Sequence, residues 1–141
     1  MGVNVLLVCL CLMAMFALCP CKTDSWSWKD CSGKDDAMKI LKVNLSKNTG
    51  DFNVSYSLGK RVVNGNVSVN VTYGVVPSYF NTISLCKIFK CPLEKGNGTF
   101  ALSNPIEPYF HPGDYTLYAV LRNMENAELA CIKVEVIKKS L

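Results

Sequence analysis

Along most of the chain, apolar and polar residues take turns with a period of two. Asp51 to Leu58 is the cleanest case, with Phe52, Val54, Tyr56 and Leu58 alternating against Asn53, Ser55 and Ser57. Asn66 to Tyr73 repeats the pattern, with Val67, Val69, Val71 and Tyr73 set between polar residues. This is the period of a strand with one face in a core and the other in water. The same reading predicts strands over Met38–Leu45, Tyr79–Leu85, Thr99–Ser103, Asp114–Arg122 and Glu128–Ile137. Asn64-Gly65 signals a tight turn, Gly74 and Pro77 break the pattern, and Asn123-Met124-Glu125-Asn126 predicts a hairpin turn between the last two strands. Pro105, Pro108 and Pro112-Gly113 predict a stiff, irregular connection. Past the first segment no helical period appears, and Asp35 to Leu41 is the only place where a turn of helix is expected to start. About seven short strands of this kind predict an all-β fold, an antiparallel β-sandwich.

Five Asn-X-Ser/Thr signals, at Asn44, Asn53, Asn66, Asn70 and Asn97, orient those strands. A glycan must point to water, so Asn53, Asn66 and Asn70 belong to outer faces and Val54, Tyr56, Val67, Val69 and Val71 to inner ones. By the same alternation Tyr115, Leu117, Ala119 and Leu121 point inward, as do Ile132, Val134 and Val136. Such an interior is either a closed core or a slot between splayed sheets that holds an apolar guest. The period is identical in the two cases and leaves both open.

Composition sharpens this picture at the amino end. Val3 to Cys19 carries no charge and is rich in Leu, Val, Met, Phe and Cys. It reads as a secretory signal peptide spanning residues 1–21, followed by a single domain over 22–141. Export to the extracellular space or to a lysosomal or endosomal lumen is expected. The formal net charge of +4 then belongs wholly to the mature part. That suits transient contact with an anionic membrane surface and falls short of a nucleic-acid footprint. Of the eight cysteines, Cys31, Cys86, Cys91 and Cys131 remain. Four cysteines in an exported chain allow three pairings. Cys86–Cys91 and Cys31–Cys131 are expected, the first closing a short loop and the second joining the ends of the domain.

Catalytic chemistry is scarce. The one histidine, His111, sits beside Pro112-Gly113 in an expected exposed turn. Asp35 and Asp36 are adjacent, and neighbouring strand residues face opposite ways, which is poor geometry for an acid and base pair. Neither a glycine-rich phosphate loop nor a metal-ligand cluster is visible. The sequence therefore reads as a non-enzyme without cofactor or metal.

Four features, in order, carry a resemblance. Trp28-Lys29-Asp30-Cys31 opens the mature domain. Cys86-Lys87-Ile88-Phe89-Lys90-Cys91-Pro92-Leu93 forms a short cysteine loop ending in Cys-Pro. Pro112-Gly113-Asp114-Tyr115 starts a strand, and Cys131-Ile132-Lys133-Val134 lies close to the carboxyl end. In these the chain resembles the ML lipid-recognition family, which includes the sterol carrier of the Niemann–Pick type C pathway, phosphatidylglycerol/phosphatidylinositol transfer proteins and the ganglioside activator. The resemblance implies an immunoglobulin-like sandwich with an apolar cavity between its sheets, and it supports both disulfide pairings. It departs from the sterol carriers at Ser46-Lys47-Asn48-Thr49-Gly50, where they have a further short disulfide.

The expected function is carriage of one lipid, a sterol or a phospholipid, by a monomer. The alternatives are an accessory protein presenting lipid to a receptor or hydrolase, and a closed-core adhesion module. The expected lining is Val54, Tyr56, Val67, Val69, Val71, Phe100, Leu102, Leu117, Ala119, Ile132 and Val134. The expected entrance is Tyr79, Phe80, Tyr109 and Phe110, between the loop Val75–Phe80 and the segment Asn104–Pro112. Lys87, Lys90 and Lys95 are expected to attract anionic headgroups.

Overall fold

A computed structural model describes residues 24–106 and 110–139. The expected leader and the entrance residue Tyr109 lie outside the described residues. The elements are β1 (Ser25–Asp30), β2 (Met38–Leu45), β3 (Phe52–Leu58), β4 (Gly65–Tyr73), β5 (Val76–Ser84), a single 3-10 turn (Leu85–Lys87), β6 (Gly96–Leu102), β7 (Gly113–Asn123) and β8 (Glu128–Lys138). They form two antiparallel sheets, one ordered β1-β8-β7-β4-β5 and the other β2-β3-β6. The fold is the all-β sandwich that the alternation predicts, with eight strands rather than seven.

Each departure from the expected elements has a physical reason. The extra strand, β1, reads SWSWKD, and only Trp26 and Trp28 are even half-buried. It is an edge strand held to β8 in register, Trp26 against Val136 and Trp28 against Val134, so its own pattern is faint. Strand β5 begins at Val76 and absorbs Pro77. That is tolerated because β5 is the outer edge of its sheet, where a missing N–H interrupts no second ladder. Strand β6 starts at Gly96, earlier than Thr99. Asn64-Gly65 is not a hairpin turn, because β3 and β4 lie in different sheets. Gly65 is there for close approach: a Cβ on it would stand 2.0 Å from the Arg122 carbonyl oxygen. No helical turn begins at Asp35. Instead the Asp36 carboxylate accepts from the Gly33 N–H at 2.7 Å and closes a turn leading into β2. The β7–β8 hairpin falls where it was predicted, with the Asn123 side-chain oxygen accepting from the N–H groups of Glu125 and Ala127.

The inner faces supply the core. Met38, Phe52, Val54 and Leu58 from the small sheet face Val67, Val71, Leu117, Leu121, Ile132 and Val134 from the large one, all essentially without exposure. Two disulfides tie the strands. Cys31–Cys131 spans 100 residues, and beside it the Cys131 N–H donates to the Ser32 hydroxyl at 2.8 Å. Cys86–Cys91 closes the loop that begins in the 3-10 turn.

Candidate functional site

The two ends of the sandwich differ. At one end the β2–β3 and β4–β5 turns, the start of β1, the end of β8 and the segment following β6 come together. At the other, the cysteine loop lies across the interior. There Phe89 packs on Phe100 with ring centroids at 4.6 Å and on Tyr56 at 5.6 Å, while Tyr56 and Phe100 are 5.9 Å apart. Tyr56 lies over Gly98, where a Cβ would meet its hydroxyl at 2.5 Å. Burial pushes the Tyr56 hydroxyl up from its ordinary acidity, which keeps it neutral. This aromatic cluster closes that end of the interior.

The open end carries two apolar clefts. The first, of about 340 Å³, is lined by Trp26 of β1, Leu45 and Phe52 of the β2–β3 hairpin, Asn104, Ile106 and Val136, with Thr49 and Gly50 in the turn and Asp24 and Lys138 supplying charge. The second, of about 300 Å³, lies between Val69, Tyr79, Asn81 and Ile83 of β4 and β5 and Leu102, Ser103 and Pro105 beyond β6. One stretch of chain separates them. Asn104 and Ile106 wall the first cleft, and Ser103 and Pro105 wall the second. Ile106 is buried, and its N–H is held by the Asn104 side-chain oxygen at 3.1 Å.

The return to β7 is fastened by two tyrosines. Tyr115 donates its hydroxyl to the His111 carbonyl oxygen at 2.9 Å, and Tyr73 donates to the Pro112 carbonyl oxygen at 3.0 Å. Their rings are 5.0 Å apart. Gly113 adopts φ of 144°, and a Cβ there would strike the Tyr73 ring at 2.5 Å. Burial, and then the neighbouring Tyr73, push the Tyr115 hydroxyl up.

Measured against the expected site, all of Val54, Tyr56, Val67, Val69, Val71, Phe100, Leu102, Leu117, Ala119, Ile132 and Val134 are buried. Only Val69 and Leu102 border a cleft. Tyr56 and Phe100 belong to the aromatic cluster, and the others pack between the sheets. The space between the sheets lies toward one end, where each cleft has walls from both sheets. Of the expected entrance residues, Tyr79 borders the second cleft. Phe110 packs on Tyr115 with centroids at 5.8 Å. Phe80 is directly opposite Asn70 across the β4–β5 ladder and so points to the outer face, away from both clefts. Lys87, Lys90 and Lys95 are exposed at the closed end, far from either opening.

The apolar cleft residues missing from the expected lining are Trp26, Leu45, Phe52, Ile83, Pro105, Ile106 and Val136. Leu45, Phe52 and Val136 sit on the apolar side of alternating strands, so their inward direction was readable while their place at the open end was not. Trp26 belongs to β1, whose alternation is faint because it is only half-covered. His111 is exposed and engages through its backbone, and among the described residues no group of three or more His, Cys, Asp or Glu is placed to hold a metal ion.

Comparison with known proteins agrees with this fold. The family model described as ML domain matches residues 25–137. A phosphatidylglycerol/phosphatidylinositol transfer protein of Pyricularia oryzae is 30% identical over 122 residues, covering 77% of this chain and 68% of that protein. A Dictyostelium discoideum protein, provisionally named for the same activity, is 29% identical over 136 residues, covering 89% of this chain and 96% of its own length. Among solved structures, chicken MD-1 complexed with lipid IVa superposes with a TM-score of 0.57 at 20% identity, covering 83% of this chain and 91% of that one. That likeness concerns the fold.

Proposed function

We propose, from the premise that this chain belongs to the ML domain family, that it binds a lipid and carries it without chemical change. The ligand is a phospholipid of the class that its relatives are named for, and the acyl portion lodges in the clefts at the open end. The observation that carries this reading is the pair of apolar clefts walled from each other by residues 103–106. Their volumes lie at the low end of the range for small-molecule sites, roughly 300–1,000 Å³. Two clefts at one end suit two acyl chains with a shared headgroup at the rim, and Asp24, Thr49, Asn104 and Lys138 are polar groups at the first cleft. Each methylene withdrawn from water contributes about 0.8 kcal/mol, so transfer needs no covalent step.

Delivery requires touching a bilayer. The turn between β4 and β5 places Val75, at 95% exposure, and Val76 at the open end of the sandwich. An apolar tip of this kind enters the headgroup layer while the clefts face the membrane. We place the protein outside the cytosol, in a secreted or lysosomal setting, a reading supported by the disulfides Cys31–Cys131 and Cys86–Cys91.

The closed-core adhesion reading has one observation in its favour, namely the close packing of the expected lining in the middle of the sandwich. One experiment separates the two. The protein is purified from the cells that make it and extracted for lipid mass spectrometry, then mixed with fluorescent phosphatidylglycerol, phosphatidylinositol and sterol. The carrier reading expects one phospholipid class recovered and bound. No lipid in the extract, together with no binding of any probe, overturns it in favour of the closed core.

A further inference from the structure

Two large aromatic side chains stand in water on the outer face of the five-stranded sheet, where neither the core nor the clefts explain them. Phe80 is 70% exposed and Tyr118 37% exposed. Both are direct partners of one residue. Asn70 of β4 lies opposite Phe80 on β5 and opposite Tyr118 on β7. Direct cross-strand partners project to the same side with Cβ atoms about 4.5–5.5 Å apart. Asn70 is therefore an exposed asparagine with an aromatic ring on each flank, and Thr72 completes its acceptor signal.

The other acceptor signals lack this setting. Asn66 is flanked by Ser84 and Arg122, Asn53 by Asn44 and Ala101, and Asn97 lies opposite Ser57. We propose that Asn70 carries an asparagine-linked glycan whose first N-acetylglucosamine is seated between Phe80 and Tyr118, and that this sugar stabilises the edge of the sheet. The proposal rests on the export reading above.

The chemistry of attachment follows the ordinary route. The Asn70 side-chain nitrogen bonds to C1 of a sugar presented on a lipid pyrophosphate. The bond from C1 to the pyrophosphate oxygen breaks, the lipid pyrophosphate leaves, and one amide proton passes to a base of the transferring enzyme. Transfer takes place on the nascent chain, before β4 is enclosed by β5 and β7. Once the sheet forms, the C–H face of the proximal sugar has an apolar surface on either side. Aromatic faces attract such C–H groups, and the rings lose part of their contact with water. Lys133, with Nζ 5.9 Å from the centroid of the Tyr118 ring, continues this row across the same face. The arrangement also gives a use to β5, which is paired on one side only and is exposed along nearly its whole length. A sugar clamped between β5 and β7 ties that edge to the strand two places away.

The test uses the full chain expressed in a glycosylating eukaryotic host. Glycopeptide mass spectrometry reads occupancy at each of the acceptor signals, and thermal unfolding is compared for the native chain and Asn70→Gln. The expected results are a glycan at Asn70 and a Tm lowered by about 2–6 °C in Asn70→Gln, the size of one stacking contact in a domain of this length. That loss should vanish when Phe80→Ser and Tyr118→Ser are already present. A measurement that needs no altered core is enzymatic trimming to the single proximal sugar, which should keep the native Tm. A chain glycosylated elsewhere and bare at Asn70 overturns the proposal alone. A chain exported yet bare at every acceptor signal overturns the proposal too, and a chain that the host retains unglycosylated overturns the export reading and takes the proposal with it. A Tm loss equal in both backgrounds, or a trimmed protein as labile as Asn70→Gln, overturns the stacking.

Discussion

Trp26 and Phe52 meet across the sandwich. One is on the edge strand β1 of the five-stranded sheet and the other opens β3 of the small sheet, yet their ring centroids are 5.9 Å apart at an interplanar angle of 51°. They are the aromatic wall of the larger cleft and the place where the two sheets touch at the open end. A guest arriving there must pass these rings.

This makes Trp26 a reporter. The chain has two tryptophans, Trp26 and Trp28, and only Trp26 borders the cleft. In a Trp28→Phe variant, phosphatidylinositol with a brominated acyl chain should quench the remaining emission, and the unbrominated lipid should shift it to the blue. Leu45→Trp, which fills the cleft from the hairpin side, should weaken binding by tenfold or more, about 1.4 kcal/mol. Ile83→Trp does the same for the second cleft. Binding of radiolabelled phosphatidylinositol that survives Leu45→Trp unchanged, a readout the added tryptophan does not disturb, would place the acyl chain elsewhere.

The two disulfides should contribute unequally. Loop-closure entropy for a link across 100 residues corresponds to about 4.7 kcal/mol, against about 2 kcal/mol for one across 5. Replacing Cys31 and Cys131 by serine should therefore unfold the domain at temperatures where the Cys86→Ser, Cys91→Ser protein stays folded. Circular dichroism melts of both pairs decide it. The smaller loss has its own signature, because Phe89 within that loop seals the aromatic cluster, so increased dye binding to apolar surface should accompany it.

Much of this architecture was legible in the residues themselves. Strands β2, β3, β4, β7 and β8 have one face in the core and the other in water, and there the alternation gives both the element and its inward side chains. Legibility fails where burial is not one-sided. Strand β1 is only half-covered, so Trp28 reads as part of a motif and Trp26 carries no signal of a strand. Strand β5 has hardly any buried residue, so neither its start nor the direction of Phe80 could be read from hydropathy. The site was harder still. Period two says which residues point inward but not how far the sheets stand apart at each level. Phe89, from the cysteine loop, occupies the interior beside Tyr56 and Phe100, and no local pattern reveals that. Space survives at the far end, where Ile106 and Pro105 of an irregular segment form the wall.

The tyrosine pair at that end predicts an alkaline limit. Burial and the neighbouring Tyr73 raise the Tyr115 hydroxyl above the ordinary value of 10.0. The folded state thus favours the neutral form. Its contribution is fully present below the unfolded value and is lost as pH rises through the folded one. Removing the hydroxyl with Tyr115→Phe forfeits the bond to the His111 carbonyl, about 1 kcal/mol, at neutral pH. The variant should consequently lose less stability than the native chain between pH 9 and 11, as read by urea unfolding. An equal loss in the two would show that another group governs the alkaline limb.

Glu128 predicts the opposite end of the scale. Its carboxyl is raised from the ordinary value of 4.5 by burial first, then by a hydrogen bond and charge repulsion from Asp36, with Arg122 pulling it the other way. Arg122 stands 3.9 Å away, too far for a close ion pair. A carboxyl raised on folding favours its neutral form, so the stability it contributes is complete below the unfolded value and lost as pH climbs through the folded one. At pH 7 the charged group therefore burdens the fold. Glu128→Gln should be at least as stable as the native chain at pH 7, and its advantage should shrink as pH falls toward 4, where the native carboxyl takes up a proton. Asp36→Asn is a poorer probe, because Asp36 also holds the Gly33 N–H. Urea unfolding of Glu128→Gln at pH 7 and pH 4 reads the difference directly, and a variant that is less stable at pH 7 would mean that the attraction of Arg122 outweighs both burial and Asp36.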